Sequence, residues 1–211
     1  MDITNERNGI HQILRLTWVY NAVQKLLGSR DGVKFLMDTF IKPKSGDNIL
    51  DFGSGTGSLF NSLNLIERIT YTGIEPNAEY TKMCKANFAN FPNATFYTGS
   101  IEKVNSLNEE FDIVIIFAVL HHLNLESWPD ILESLYGKLK KGGRILILDN
   151  ILHDKQNIIS RTLIKLDRGQ SILHEDDYKN YIKNSGYSFD SIIKTDLMKV
   201  PYSHILTTIK K

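Results

Sequence analysis

A glycine-rich stretch in the first third of the chain constrains its fold more than any other feature. Residues 49–60 read ILDFGSGTGSLF: a short apolar run ends at Asp51, and Gly53, Gly55 and Gly57 follow before hydrophobic spacing resumes. This pattern predicts a buried strand, a tight loop and a helix. Glycine lets a backbone pass close to a bound molecule, and the following helix offers free N–H groups in its first turn. The stretch therefore predicts a ligand-binding loop.

The glycine spacing argues against a pyrophosphate ligand. The dinucleotide fingerprint is G-x-G-x-x-G/A, and its third position falls on Ser58, with Gly57 one residue early. Glu75 follows the next predicted strand about 20 residues beyond the loop, where nucleoside-binding α/β folds place a carboxylate for the ribose hydroxyls. The alternative is that Glu75 is favoured by the dipole of the helix that begins after Pro76. The two roles are compatible.

The bulk composition is that of a soluble globular chain. Its 211 residues are enough for one domain with a sizeable core, and 42% of them are hydrophobic and 23% charged. A net charge of +1 gives no general reason to expect nucleic acid or an anionic membrane as a partner. No apolar run reaches the roughly 20 residues of a membrane span, so we expect a cytoplasmic protein. The single cysteine excludes an internal disulfide, and no Cys/His spacing predicts a metal site.

Short apolar or alternating segments, separated by helical patterns, predict an α/β sheet fold. The continuous run FDIVIIF at residues 111–117 is typical of a central strand that is covered on both faces. The last two segments alternate with period two, which suits an antiparallel addition to a parallel sheet. The predicted strands cover residues 48–51, 69–74, 95–97, 111–117, 144–149, 189–195 and 204–209.

Helical patterns predict most of the remaining chain. Apolar residues recur at helical spacing over residues 10–27, and a second helix is expected over 33–40. A long segment, 151–187, pauses the strand–helix alternation and is interpreted as a helical insertion, or lid. The sequence thus predicts one domain over residues 1–211, made of a helical cap (1–45), a cofactor-binding core (46–150), the insertion (151–187) and terminal strands (188–211).

Together these features resemble class I S-adenosylmethionine-dependent methyltransferases. The match runs in order over residues 47–144: the D-F-G-S-G-T-G loop, the acid after the second strand, the G-S-I-E loop at 99–102, a histidine pair after the fourth strand, and a K-K-G-G turn at 140–143. The resemblance implies a Rossmann-like, doubly wound, mostly parallel seven-stranded sheet, with an antiparallel last strand beside the fifth. It also implies S-adenosyl-L-methionine as cofactor and S-adenosyl-L-homocysteine as product.

The resemblance assigns a role to the residues at the strand ends. The first loop would border the methionine moiety, Glu75 the ribose, the loop at 99–102 the adenine, and Phe117 with His122 the wall beneath the sulfonium. The family's adenine loop commonly reads G-D-x-x, and Ser100 replaces that aspartate here. The implied cofactor-binding residues are Asp51, Gly53, Ser54, Gly55, Gly57, Glu75, Pro76, Ser100, Ile101, Glu102, Phe117 and His122.

Three histidines are the candidate catalytic residues. Methyl transfer from a sulfonium requires alignment, exclusion of water and, for a hydroxyl acceptor, removal of a proton. Because imidazole titrates near neutral pH, His121 and His122 are candidate general bases, with packing against the cofactor as the alternative. His174 in the insertion is a third candidate, unless it begins the helix that contains Tyr178.

The sequence favours a small-molecule or metabolite acceptor, methylated on oxygen or nitrogen. Methyltransferases that act on nucleic-acid amino groups carry an N/D-P-P-Y-like motif after the fourth strand, and residues 117–120 read F-A-V-L instead. An NAD-dependent oxidoreductase and a non-catalytic domain that binds S-adenosylmethionine are the alternatives. Homodimer formation is left open, and neither nucleic acid nor a membrane span is expected.

Overall fold

The computed structural model describes residues 30–165 and 171–211, and one mixed sheet forms its centre. Its strands are β1 (Asn48–Phe52), β2 (Thr70–Glu75), β3 (Ala94–Thr98), β4 (Phe111–Phe117), β5 (Leu139–Asn150), β6 (Phe189–Lys194) and β7 (His204–Lys210). The order across the sheet is β3-β2-β1-β4-β5-β7-β6. The first five strands are mutually parallel, and β7 runs antiparallel between β5 and β6. The predicted doubly wound sheet, with its antiparallel last strand beside the fifth, is confirmed.

Helices cover both faces of this sheet. The α-helices of the described residues are α1 (Arg30–Phe35), α2 (Phe60–Leu63), α3 (Ala78–Asn87), α4 (Ile101–Asn105), α5 (Trp128–Gly137), α6 (Ile158–Lys165) and α7 (Glu175–Asn184). A π-helical turn, Leu36–Ile41, continues directly from α1, and two 3₁₀ turns, Leu120–His122 and Leu125–Ser127, follow β4. In residues 30–165 and 171–211, no helix combines the length and apolarity that crossing a bilayer requires.

The alternation of side chains along the strands divides the core into two layers. One layer packs the sheet against α5 and α7, where Trp128 and Tyr178 are fully buried. The other packs it against α2 and α3, where the Phe60 ring lies 4.9 Å from that of Tyr71 and 5.0 Å from that of Phe88. Between the layers, the carboxyl ends of the parallel strands meet at one edge, and antiparallel β7 begins at the same edge.

Several elements differ from the sequence-based prediction for local reasons. The turn expected over residues 140–143 lies within β5, because Phe111 pairs with Leu139 and Ile113 with Arg144, so that a bulge absorbs the extra residues. The helix that the sequence predicts after the glycine loop is limited to α2, since asparagine and serine follow Phe60 and weaken helix propagation. The helix expected over 33–40 becomes π-helical after Phe35. The helix expected over 10–27 lies outside the described residues.

Candidate active site

The glycine loop joins β1 to α2 at the carboxyl edge of the sheet. Its glycines have positive φ angles of 83° at Gly53, 53° at Gly55 and 76° at Gly57. A Cβ at Gly53 would lie 2.4 Å from a methyl carbon of Val119, and one at Gly57 would lie 2.6 Å from the Phe88 ring. Backbone conformation and packing therefore both require glycine at these two positions, whereas at Gly55 only the conformation does.

Glu75 ends β2 beside the loop and holds it through backbone bonds. One carboxylate oxygen accepts the N–H of Gly55 and the other accepts the N–H of Asn77, each at 2.9 Å. Burial raises the pKa of Glu75, and these two donors oppose the shift. Each oxygen keeps a lone pair for a further donor. Glu75, the residue predicted to bind the ribose, thus also fixes the conformation of the loop.

Asp51 is buried at the end of β1, on the strand that neighbours β2. The Tyr71 hydroxyl donates a hydrogen bond to one of its oxygens. Burial raises the pKa of Asp51 to about 7, the Tyr71 bond opposes this shift, and the charge of Glu75 adds to it. Among the described residues, no cationic side chain lies within salt-bridge distance of Asp51 or Glu75. Within residues 30–165 and 171–211, the two acids thus form a buried acidic pair with no basic side chain beside it.

Two buried hydroxyl groups near these acids have no hydrogen-bond partner within the described part of the chain. One is Oγ of Ser54 in the glycine loop, and the other is the hydroxyl of Tyr80 in the first turn of α3. Burial and the charge of Glu75 raise the pKa of Tyr80, which places the ring close to that carboxylate. Because buried polar groups are nearly always bonded in folded proteins, a polar ligand is expected here. Tyr80 carries no sequence signal for this role, since a tyrosine on a helix ordinarily packs.

The predicted adenine loop is held by helix-capping bonds. Oγ of Ser100 accepts the N–H of Ile101 at 2.6 Å and donates to Glu102 at 2.8 Å, and so caps α4. The N–H of Gly99 donates to the carbonyl of Glu75 at 3.1 Å, which fixes the loop beside the end of β2. The groups that the resemblance assigns to adenine therefore lie at the expected edge, where they bond to one another. Exposed Pro76 follows Glu75 and leads into α3.

The two adjacent histidines after β4 lie in opposite environments. His121 is 1% exposed, and the Asp149 carboxylate accepts its backbone N–H at 3.1 Å and contacts its Nδ1. Its Nε2 lies 3.4 Å from the amide nitrogen of Asn150. His122 is exposed, and its ring centre lies 4.0 Å from that of His121. Of the pair, His122 is the one that solvent reaches.

The end of β4 forms an aromatic and strained border of the site. Phe117 is half-buried and stacks on Phe40 of the π-helical turn, with ring centres 6.2 Å apart. Ala118 follows with a φ of 55°, a left-handed conformation that costs an alanine roughly 1–2 kcal/mol. Its N–H donates to the carbonyl of Leu148 at 2.7 Å, which holds the strained residue in place. Such strain is concentrated at functional sites.

His174 immediately precedes α7, as the structural alternative for this residue predicted. Its Nε2 lies 3.2 Å from the carboxylate of Asp154. The neighbouring Ser171 joins this segment to the histidine turn, because its N–H donates to the carbonyl of His121 at 3.0 Å and its hydroxyl to that of Leu123 at 2.8 Å. A catalytic role for His174 stays a prediction. Within the described ranges, no group of three or more His, Cys, Asp or Glu side chains could hold a metal ion.

A protein-family model described as a methyltransferase domain matches residues 49–143. The match begins within β1 and ends inside β5, so it includes the glycine loop, Glu75, the Ser100 loop and both adjacent histidines. Residues 49–143 therefore carry a methyltransferase domain, the family that the sequence resembles. The family resemblance of the sequence is thereby confirmed.

Relatives of the methyltransferase domain occur in several prokaryotes. An uncharacterized methyltransferase from Anoxybacillus flavithermus is 27% identical over 163 residues, which are 77% of this chain and 74% of that protein. Another, from Bacillus cytotoxicus, is 35% identical over 113 residues, which are 54% of this chain and 51% of that protein, so the match spans about half its length. The crystal structure of a SAM-dependent methyltransferase from Archaeoglobus fulgidus is similar in fold, with a TM-score of 0.68 and 21% identity over 92% of this chain and 100% of that one.

Proposed function

We propose that this methyltransferase domain transfers the methyl group of S-adenosyl-L-methionine to a hydroxyl or amine of a small-molecule acceptor and releases S-adenosyl-L-homocysteine. The observation that carries the cofactor assignment is the buried pair of acids, Asp51 and Glu75, on adjacent strands, beside which the described residues place no basic side chain. S-adenosylmethionine brings an ammonium group and a sulfonium, which this pair attracts. The pyrophosphate of NAD is anionic, and the same pair repels it.

Further features of the edge fit this cofactor. Lone pairs on Glu75 suit the ribose hydroxyls, and the unpartnered hydroxyls of Ser54 and Tyr80 offer two more hydrogen bonds. Glycine at positions 53 and 57 lets the loop pack without side chains. The Ser100 loop, which is fixed beside Glu75, would border the adenine. A bound base could then replace the bonds that Ser100 makes to the N–H of Ile101 and to the Glu102 carboxylate.

The bound cofactor supplies an activated methyl group: the acceptor atom forms a bond to the methyl carbon while the carbon–sulfur bond breaks and its electron pair remains on sulfur. The chain's part is to align the acceptor, exclude water and take up a proton. The exposed imidazole of His122 accepts the proton of a hydroxyl acceptor. Asp149 fixes the turn that carries His122, because it binds the backbone N–H groups of both His121 and Asn150.

The acceptor side of the site supports a small molecule. Residues 117–120 lack the motif that grips an extruded base, and the net charge of +1 offers no field for a polyanion. The stacked rings of Phe40 and Phe117 suit an acceptor with an apolar or aromatic part. A cytoplasmic location belongs to the same proposal.

Calorimetric titration of the chain with S-adenosylmethionine, S-adenosylhomocysteine and NAD tests the cofactor assignment. We expect the first two to bind and NAD not to bind. Binding of NAD with no binding of S-adenosylmethionine would support the oxidoreductase alternative and overturn the proposal.

A screen of hydroxyl- and amine-bearing metabolites with methyl-labelled cofactor then tests turnover. For an acceptor found in this way, we expect His122→Ala to lower kcat by about 10²–10³ while leaving cofactor affinity unchanged. The parallel variant His174→Ala tests the remaining candidate base. Full turnover by His122→Ala would contradict the assignment of the base, and methylation of no acceptor would favour the non-catalytic alternative.

A further inference from the structure

Strand β6 forms one open edge of the sheet. Among residues 30–165 and 171–211 it pairs with β7 alone, in antiparallel register from Phe189 opposite Ile209 to Lys194 opposite His204. Alternate residues of an antiparallel strand direct their N–H and C=O groups to one side, so half of the polar backbone groups of β6 point away from β7. Such an edge is a template for pairing with another strand.

The outer edge of β6 is apolar at its centre. Ile192 is the fourth of the six residues of β6 and is 49% exposed, an unusual fraction for an isoleucine in a sheet. Asp190 and Lys194 lie two residues to either side, and period-two alternation places all three side chains on the same face of the sheet. The edge therefore presents one acid, one apolar residue and one base in a row.

This row is complementary to itself. If two copies of β6 pair in antiparallel fashion about a two-fold axis at Ile192, each Asp190 lies opposite Lys194 of the other copy, and the two Ile192 side chains meet. Moving the axis by one residue to Ile193 would instead place Asp190 opposite Asp196, which is repulsive. The charges thus select one register.

Both of these charges already make an ion pair within one chain. Asp190 lies 3.5 Å from Lys210, and 82% and 73% of the two side chains are exposed. Lys194 lies 3.0 Å from the largely exposed Asp196 and over the ring of Phe35. The exposed Asp190–Lys210 pair contributes little to stability, so pairing between copies loses little by replacing it. The Lys194 side chain is 26% exposed, and its ammonium group must leave Asp196 and the Phe35 ring to reach the other copy.

We propose that β6 is a homodimer interface, in which two chains join their sheets edge to edge in the register centred on Ile192. Since β6 runs parallel to β1 and the two copies of β6 run in opposite directions, the carboxyl edges of the two sheets point in opposite directions. The two cofactor sites lie apart and share no residue. Assembly and cofactor binding are therefore separable.

Sedimentation equilibrium of the full chain over a wide range of concentration tests this interface. We expect a reversible equilibrium between one and two chains. The charge reversals Asp190→Lys and Lys194→Asp, made singly, place like charges opposite each other, and each should raise the dissociation constant at least about tenfold. A wild-type chain that stays monomeric throughout, or a dimer that survives both reversals, would overturn the proposal.

Mixing the two single variants supplies the decisive control. In a mixed dimer of D190K and K194D, both cross-strand pairs again join opposite charges, so we expect the mixture to dimerise where neither variant does alone. The double variant D190K/K194D should likewise dimerise with itself. Unchanged circular dichroism and unchanged affinity for S-adenosylhomocysteine show that the variants are folded. Failure of both the mixture and the double variant to recover the dimer would contradict the proposed register.

Discussion

The two halves of the carboxyl edge are built in different ways. On the β1–β2 side, backbone groups form the site: glycines with positive φ turn the loop, and Glu75 holds it by accepting N–H bonds. On the β4–β5 side, buried side chains form it, with Asp149 binding His121 across two strands. Where backbone groups form the site, few positions accept a larger side chain. Where side chains form it, the residues can differ while the strands that carry them stay the same. We therefore expect substitutions in either half to change stability, and those in the first half to weaken cofactor binding as well.

The largest effect is expected in the second half. Asp149→Ala removes the carboxylate that contacts the buried His121 ring and accepts the N–H groups of His121 and Asn150, and should lower the free energy of unfolding by about 3–5 kcal/mol. Urea denaturation measures this loss. Asp196→Ala removes an exposed acid and is the control, with an expected change below about 1 kcal/mol. Equal effects of the two variants would remove the contrast between the halves.

Gly57→Ala should show the complementary behaviour in the first half. The new Cβ meets the Phe88 ring and adopts an unfavourable φ, so we expect a loss of about 2–4 kcal/mol in stability. At temperatures where the variant is folded, its affinity for S-adenosylhomocysteine should fall at least about tenfold, as calorimetry would show. Gly46→Ala is the matched control, because Gly46 also has a positive φ but nothing within 4 Å of its Cβ position. A Gly57→Ala variant that binds normally would contradict the role of the loop.

Asp51→Asn should change both the pH dependence of stability and the affinity for the cofactor, and the two effects can be measured separately. The pKa of Asp51 is raised from 3.8 to about 7 in the folded chain, so the folded state holds a proton that the unfolded state has released between these values. The wild type therefore loses stability as pH rises through this window. Relative to wild type, Asp51→Asn should gain roughly 3 kcal/mol in unfolding free energy between about pH 5 and about pH 8.

The same variant should bind the cofactor more weakly, because it breaks the acid pair that attracts the cationic ligand. Urea denaturation at several pH values, paired with calorimetry, measures both changes. A pH-independent difference between variant and wild type would show that the carboxyl group is not buried as described.

The smallest effect is expected for Tyr80→Phe. Its hydroxyl has no partner within the described residues, so removing it should change the unfolding free energy by less than about 0.5 kcal/mol. If the hydroxyl donates to the cofactor, affinity for S-adenosylhomocysteine should fall about five- to tenfold. Tyr136→Phe, on α5, is the control and should alter neither quantity. Unchanged affinity in Tyr80→Phe would remove this residue from the binding site.

The first half of the site could be located from the sequence because its signals are local. A strand, three glycines and an acid after the next strand specify their own backbone geometry, and the structure places Asp51, the loop and Glu75 together at one edge. The continuous apolar run at 111–117 likewise predicts the central strand, since a strand that is buried on both faces has no polar alternation.

The second half could not be predicted because it depends on distant contacts. His121 and His122 are adjacent residues of one type, and only Asp149, 28 positions away, decides which of them is buried. The capping role of Ser100 is hidden for a different reason, since serine suits both a helix cap and a ligand contact. The bulge at the start of β5 is set by the pairing of β5 with β4. The glycines at 142 and 143 allow such a bulge but do not specify it.

The bond between Glu75 and the N–H of Gly55 joins two groups of the chain itself and ties the glycine loop to the end of β2. The entropy cost of ordering the loop is then met during folding, before any cofactor arrives. The cofactor then binds to a loop that is already ordered. The association rate is limited by diffusion and access to the site rather than by rearrangement of the loop. Loss of this one bond would slow association, and would do so even if the bound complex, once formed, had the same lifetime.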